Sequence, residues 1–435
     1  MNLPTRLRRS AAVFLLGLLA ASALWADRVA ILATDKEAAE ARVEVAVEAE
    51  RELFASYFII GHDPLSLASL SLLRDAARRG VEVRLLVDAQ WNSIPRALQD
   101  HLVEEGVQIR EYHPFRLDRL SWIFKRMHDK LLIADGRQLI SGGRNIESTY
   151  FGFGHQIERR NYLDLDLWVE GSAAEEARRY FLELWASRHV RALRPRSCPA
   201  ERAAAGATLE PHKAWLDARI AAEKSDAGRA GLPFFETSAI EFLHDPVGKK
   251  GKAPGVGHAL LDLLDEAQSS AVIESPYLIP SRAFRAGLRR VLGRGIPVRI
   301  LTNSVSATDN LWAQAGYVGK KKGLVREGLD LWEYAGPECL HAKAAVIDEE
   351  TVIVGSFNLD PRSEFLNTEV ALVVRDRAVA ARLLAIMAER HPRSIRIDER
   401  GWPEGADEPF PGVPRGKVFR LRLLQLLAPF IERQL

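Results

Sequence analysis

The chain has 435 residues, 47% hydrophobic and 27% charged, with 60 Lys+Arg against 58 Asp+Glu. That length gives two or three domains and a large core, and the composition is that of a globular protein. Two cysteines, Cys198 and Cys339, exclude a disulfide scaffold and offer no Cys/His spacing for zinc; a net charge of +2 leaves nucleic-acid binding to local patches.

In chain order, Arg6, Arg8 and Arg9 precede an uncharged apolar run over 10–26, with small residues at Ala21-Ser22-Ala23. A basic stretch followed by an apolar one directs export, as a cleaved signal peptide or a retained anchor. The positive-inside rule then puts everything after residue 26 across the membrane. In such an oxidising compartment a Cys198–Cys339 bond is open.

Residues 27–195 and 236–395 read as a duplication. Each begins with an apolar strand (53–60; 271–279), followed by a helix-period segment (67–79; 284–294). Next comes a strand with a shared pattern, Gly80-Val81-Glu82-Val83-Arg84-Leu85 and Gly295-Ile296-Pro297-Val298-Arg299-Ile300. Strands alternating with helices predict an α/β fold with a largely parallel sheet in each half. Residues 196–235 read as a connector with a helix near 213–222. The tail, 396–435, is rich in proline and then apolar, with Arg415, Lys417, Arg420 and Arg422. It docks on its own protein or lies in a membrane surface.

Each half carries His-x-Lys-x4-Asp: His128-Asp129-Lys130 with Asp135, and His341-Ala342-Lys343 with Asp348. Each motif is trailed by glycine and asparagine, Gly142-Gly143-Arg144-Asn145 and Gly355-Ser356-Phe357-Asn358. Residues i and i+2 of a strand share a face, so each histidine points with its lysine. If the halves meet about a pseudo-twofold axis, two imidazoles flank one phosphate held by two ammonium groups. A neutral histidine attacks phosphorus and a protonated one serves the departing alcohol, which needs neither metal nor cofactor. The lysines and amides neutralise the equatorial oxygens.

These segments resemble the phospholipase D superfamily with two HKD motifs. The run from Leu340 through Asp348, Gly355-Ser356-Phe357-Asn358 and Asn367-Thr368-Glu369 is similar to bacterial cardiolipin synthases. The resemblance implies two α/β/α halves with the active site at their interface. His128 would be the nucleophile and His341 the general acid, then base. Lys130, Lys343, Asn145, Asn358 and Ser356 would bind phosphate, and Asp164 and Glu369 would orient the histidines. Asp135 and Asp348 belong to the catalytic motif by that resemblance. Five residues beyond their lysines on a strand, however, they fall on the opposite face, which suits a scaffold carboxylate. Gly143 stands where the second half has Ser356, so phosphate contacts are expected to be asymmetric. Residues 151–161, with His155, Arg159 and Arg160, lengthen the first half and are placed as a rim over the cleft.

The lysines at 249, 250 and 252, and Lys320, Lys321 and Lys322, read as solvated; His62, His155, His244 and His258 read as scaffold or surface. The implied activity is phosphatidyl transfer from phosphatidylglycerol or phosphatidylethanolamine to phosphatidylglycerol, forming cardiolipin. Alternatives are a hydrolytic phospholipase D, an exported metal-independent nuclease, or a lipid-binding scaffold without catalysis. The expected partners are phospholipids and a membrane surface rather than nucleic acid. A fused chain needs no oligomer to build its cleft.

Overall fold

The computed structural model describes residues 27–157, 159–222, 231–247 and 255–428. The export segment over 1–26 and the lysines at 249, 250 and 252 lie outside them. Among the described residues no helix is long and apolar enough to cross a membrane.

Among the described residues each half is built on one sheet, of nine strands in the first and eight in the second. In the first, Glu52–Tyr57, Glu82–Asp88 and Gln108–Tyr112 run parallel. Lys130–Ala134 then pairs antiparallel with Glu52–Tyr57, and Gln138–Gly142 antiparallel with Lys130–Ala134. The second half repeats this order with Ala271–Glu274, Val298–Asn303, Asp330–Tyr334, Ala344–Ile347 and Thr351–Gly355. The expected largely parallel sheet is therefore mixed, and the turns explain why. Asp135 and Gly136 take φ of 55° and 65°, and Asp348 and Glu349 both take 55°. Such tight left-handed turns join hairpins; a parallel partner needs a crossover of a dozen residues or more.

The apolar residues fall into three buried clusters. One joins the two sheets: Leu131, Ile133 and Leu167 of the first meet Val346, Val354 and Leu372 of the second, with helices Ser172–Ala186 and Arg377–Ala388 between. The other two lie on the far face of each sheet, under helices such as Pro64–Arg78 and Leu311–Arg326. Residues alternate between the central and outer clusters, as strand geometry requires. Helix Pro64–Arg78 starts where Asp63 caps the Ser66 N–H, and the same carboxylate accepts from Ser148 (2.9 Å), tying the helix to the loop after the first motif.

The connector is more structured than expected. Helices Pro199–Gly206 and Leu209–Ala222 pack on the first half through Arg202–Glu104, Arg74–Glu210 and Lys213–Asp75 ion pairs. The tail forms helix Arg415–Leu427 on Leu311–Arg326, burying Leu421 and leaving Phe419 and Leu426 exposed. Lys321, read as solvated, is buried and paired with Glu333 at 3.0 Å. Both cysteines are free thiols, Cys198 exposed and Cys339 buried, so the bond left open by the sequence is not formed.

Candidate active site

His128 sits just before strand Lys130–Ala134, His341 and Lys343 sit just before strand Ala344–Ile347, and each histidine is pinned by the other half. The His128 N–H donates to the Thr368 carbonyl (3.1 Å), and the His341 N–H to the Leu163 carbonyl (2.7 Å). Next along the chain in each case is a carboxylate. His128 Nδ1 lies 2.9 Å from Glu369 Oε2, and His341 Nδ1 lies 2.6 Å from Asp164 Oδ2. Asp164 and Glu369 therefore bond the histidines, but crosswise: each half supplies the carboxylate for the other half's ring. This exchange is the pseudo-twofold relation written in hydrogen bonds.

A carboxylate on Nδ1 fixes the proton there and leaves Nε2 facing the cleft. Both rings and both lysines are buried. Lys130 Nζ donates to the His128 carbonyl (2.5 Å), and Lys343 Nζ lies 2.8 Å from His341 Nδ1 and 3.1 Å from its Nε2. Burial, then the Lys130 and Lys343 charges, hold His128 well below its usual pKa. Burial and Lys343 also lower His341, but Asp164 opposes them. Burial and Lys343 bring Lys130 down to about 7. The charges of His341 and Lys343 outweigh burial and hold the Asp164 carboxyl below its usual range. Asp164 thus contributes stability above its unfolded pKa of about 4, lost as pH falls through the lower folded value.

Aromatic rings wall the histidines. Phe58 meets His128 edge-on at 5.0 Å; Tyr150 and Tyr162 each meet His341 at 5.1 Å. Asp309 accepts from the Tyr162 and Tyr277 hydroxyls at 3.1 and 3.0 Å. Of these rings only Tyr277, within Glu274-Ser275-Pro276-Tyr277, stands out in the sequence by its resemblance to the family; Phe58, Tyr150 in the short helix Ser148–Phe151 and Tyr162 in strand Tyr162–Leu163 lie outside the motifs. Asp129, the middle residue of the first motif, points away from the cleft and accepts from Thr368 Oγ1 and Tyr180 Oη, both at 2.7 Å. Strand alternation was the available signal for that orientation.

Several expected ligands take other positions. Ser356 does not line the cleft as a phosphate ligand: its hydroxyl donates to Glu369 Oε2 and accepts from the Val370 N–H (3.0 Å). The reason for Gly143 is the shorter Asp164, whose carboxylate lies so low that a Cβ at 143 would sit 2.0 Å from Oδ1. Glycine goes with aspartate in one half and serine with glutamate in the other. The asymmetry expected at the phosphate is thus an asymmetry in how the carboxylates are held. Gly143→Ala should displace Asp164 and cost about 100-fold in kcat with the fold retained, as steady-state kinetics beside circular dichroism would show.

Asn145 is largely engaged by the scaffold. Its Oδ1 accepts from the Ile59 N–H (3.1 Å) and its Nδ2 donates to Tyr150 Oη (3.0 Å), leaving one amide hydrogen. Asn358 Oδ1 is buried without a hydrogen-bond partner. Asp135 and Asp348 are not in the cleft, which corrects their place in the catalytic set. Asp135 accepts the N–H groups of Glu50, Arg51 and Glu52, and Asp348 those of Gln268, Ser269 and Ser270. Each closes the far end of its sheet from a left-handed turn. Asp348→Ala should cost about 2 kcal/mol in urea denaturation and leave kcat within about twofold. The rim segment bridges the halves: Arg160 donates to the Ser306 and Ala307 carbonyls (2.9 Å each). His155 is exposed, and His244 packs against Tyr180.

A duplicated α/β/α chain with two imidazoles, each held by the opposite half's carboxylate, and two buried lysines defines a phospholipase D-type enzyme. Residues 46–185 and 260–390 match the family described as cardiolipin synthase, PLD-like domain. The chain is 31% identical over 388 residues to cardiolipin synthase C of Escherichia coli K12, covering 79% of this chain and 80% of that protein. It is 26% identical over 408 residues to cardiolipin synthase A of Pseudomonas aeruginosa, covering 93% and 74%. The phosphatidylserine synthase of Haemophilus influenzae has the same fold, with a TM-score of 0.67 at 15% identity over 94% of this chain and 95% of that one. The chain belongs to the cardiolipin synthase-like family of the phospholipase D superfamily and is a phosphatidyltransferase of that type.

Proposed function

We propose that the protein moves a phosphatidyl group from phosphatidylglycerol or phosphatidylethanolamine to the hydroxyl of phosphatidylglycerol, forming cardiolipin through a phosphohistidine on His128. The crossed His–carboxylate pairs carry this reading, because each ties the Nδ1 of one half's ring to the other half, and the two rings are near enough for the charge of His341 to act on His128. His128, held neutral by burial and by the Lys130 and Lys343 charges, attacks phosphorus as the bond to the donor's alcohol oxygen breaks. His341 gives its Nε2 proton to that oxygen, and the bound diester's negative charge raises its pKa toward the needed range. The emptied His341 then takes the proton of the acceptor hydroxyl. The new alkoxide oxygen bonds to phosphorus, the P–N bond breaks, and His128 is restored.

Lys130 and Lys343 neutralise the charge gathering on the equatorial oxygens in a site of low dielectric. Asn358 presents its amide to the same group. The rings of Phe58, Tyr150 and Tyr162 keep water from the intermediate, so a lipid hydroxyl competes for it. The segment over 1–26 places this cleft on the periplasmic side, as a signal or an anchor. Purified protein incubated with labelled phosphatidylglycerol, alone and with phosphatidylethanolamine, should yield cardiolipin by lipid mass spectrometry. Phosphatidic acid as the only product would make it a hydrolase.

A further inference from the structure

Several exposed large apolar side chains lie on the loops around the two histidines. The parallel strands of the first sheet all deliver their ends to the edge where His128 and Phe58 sit. Trp91, in the loop after Glu82–Asp88, is half exposed with its ring 5.4 Å from Phe58. The loop after Gln108–Tyr112 carries Phe115 at 63% and Leu117 at 82% exposure, then Phe124, just ahead of His128. In the second half, Trp312 follows the Asp309 that holds the tyrosines at His341, and Phe365 precedes Glu369. The tail helix reaches the same end: Lys417 Nζ donates to the Ser306 carbonyl (3.3 Å), which Arg160 also contacts, and Phe419 is 71% exposed.

Apolar side chains exposed singly need no explanation, but a gathered patch does. The loop that carries most of it is firmly rooted. Its base holds the buried His113, which bonds the Lys125 carbonyl and His189 (2.9 Å each) and stacks on the buried Trp122 at 4.2 Å. Arg126 donates to the Trp122 carbonyl. Only the tip faces water. Along this loop Arg116, Arg119 and Lys125 stand against Asp118, and by the tail helix Arg160, Lys417 and Arg420 stand against the exposed Asp309. In a chain of net charge +2 this rim is a local excess of positive charge. Apolar tips within a basic ring match the acyl boundary and headgroups of an anionic bilayer.

We propose that this face docks on an anionic phospholipid bilayer, with Phe115, Leu117 and Phe124 entering the acyl boundary, so that the cleft opens along the membrane plane. The proposal rests on the reading above only for the identity of the substrate. Full-length protein with Cys198→Ser is labelled with an environment-sensitive probe at Leu117→Cys, or at Val47→Cys. Val47 is 55% exposed and precedes Glu52–Tyr57, at the end of the sheet away from the cleft. With vesicles of phosphatidylcholine and phosphatidylglycerol, the probe at 117 should brighten and shift to the blue while that at 47 stays unchanged, even if the N-terminal segment tethers the chain. Pure phosphatidylcholine should need about tenfold more lipid for the same signal.

Phe115→Asp/Leu117→Asp should lower turnover of vesicle phosphatidylglycerol about tenfold and leave that of monomeric short-chain phosphatidylglycerol unchanged. Equal responses at 47 and 117, equal losses on both substrates, or a variant that only disrupts self-association would overturn the docking. Absence of turnover on both substrates by the wild type would instead sink the proposed function, while the probe pair still decides the docking.

Discussion

Alanine at His128 or at His341 is expected to cut lipid transfer by roughly 10⁴-fold or more, and the two variants should stall at different points. A donor with a good leaving group, such as a nitrophenyl phosphatidyl ester, needs no proton to depart. With it, His341→Ala should complete the first half-reaction and then stop, because no base remains to activate the acceptor. A phosphatidyl adduct should accumulate on His128, found by mass spectrometry of the peptide that contains it. His128→Ala should give no adduct and no burst. An adduct on His341 in the His128 variant would reverse the assignment, which follows the resemblance of the first motif to the family.

Neutralising the carboxylates should act across the molecule. Asp164→Asn lies in the first half, yet the ring it touches is His341. Asp164 raises the pKa of that ring, so its loss should lower it. The protonated acid then disappears at lower pH, and the alkaline limb of the kcat profile moves toward acid. An amide N–H facing Nδ1 also favours the wrong tautomer, so kcat should fall by roughly 10³ to 10⁴-fold. Glu369→Gln should put the proton of His128 on Nε2, remove the nucleophilic lone pair and suppress the burst by a similar factor. An Asp164→Asn variant that shifts only the nucleophile's limb would refute the crossed geometry. ¹⁵N chemical shifts of the two imidazoles read the tautomers directly.

The duplicated architecture was legible because it is local. Motif spacing, helix periodicity and repeated strand patterns are short-range features, and the apolar residues that alternate along the strands do line opposite faces. The mixed direction of the sheets was missed because the left-handed turns at Asp135 and Asp348 were not read as hairpin signals. Asp164 and Glu369 were expected to orient the histidines, but their exchange between the halves was not legible. His128 and Glu369 are separated by 241 residues and His341 and Asp164 by 177, and only the closing of the two halves brings them together. The roles of Ser356 and Gly143 depend on the depth of a carboxylate, a distance that sequence spacing does not carry. The aromatic walls escaped notice for the same reason.

The exchange of carboxylates also bears on how the protein is made. Translation completes His128 long before Glu369, so the nascent first half carries a ring with no partner to hold its proton. A polypeptide that ends early, or one cut between its halves and separated, has the whole first motif yet lacks the group that prepares its nucleophile. The crossed pairs therefore lead us to expect that reactivity toward lipids arises only once the last third of the chain has been synthesised and folded back, so that separated halves assayed alone should be inert.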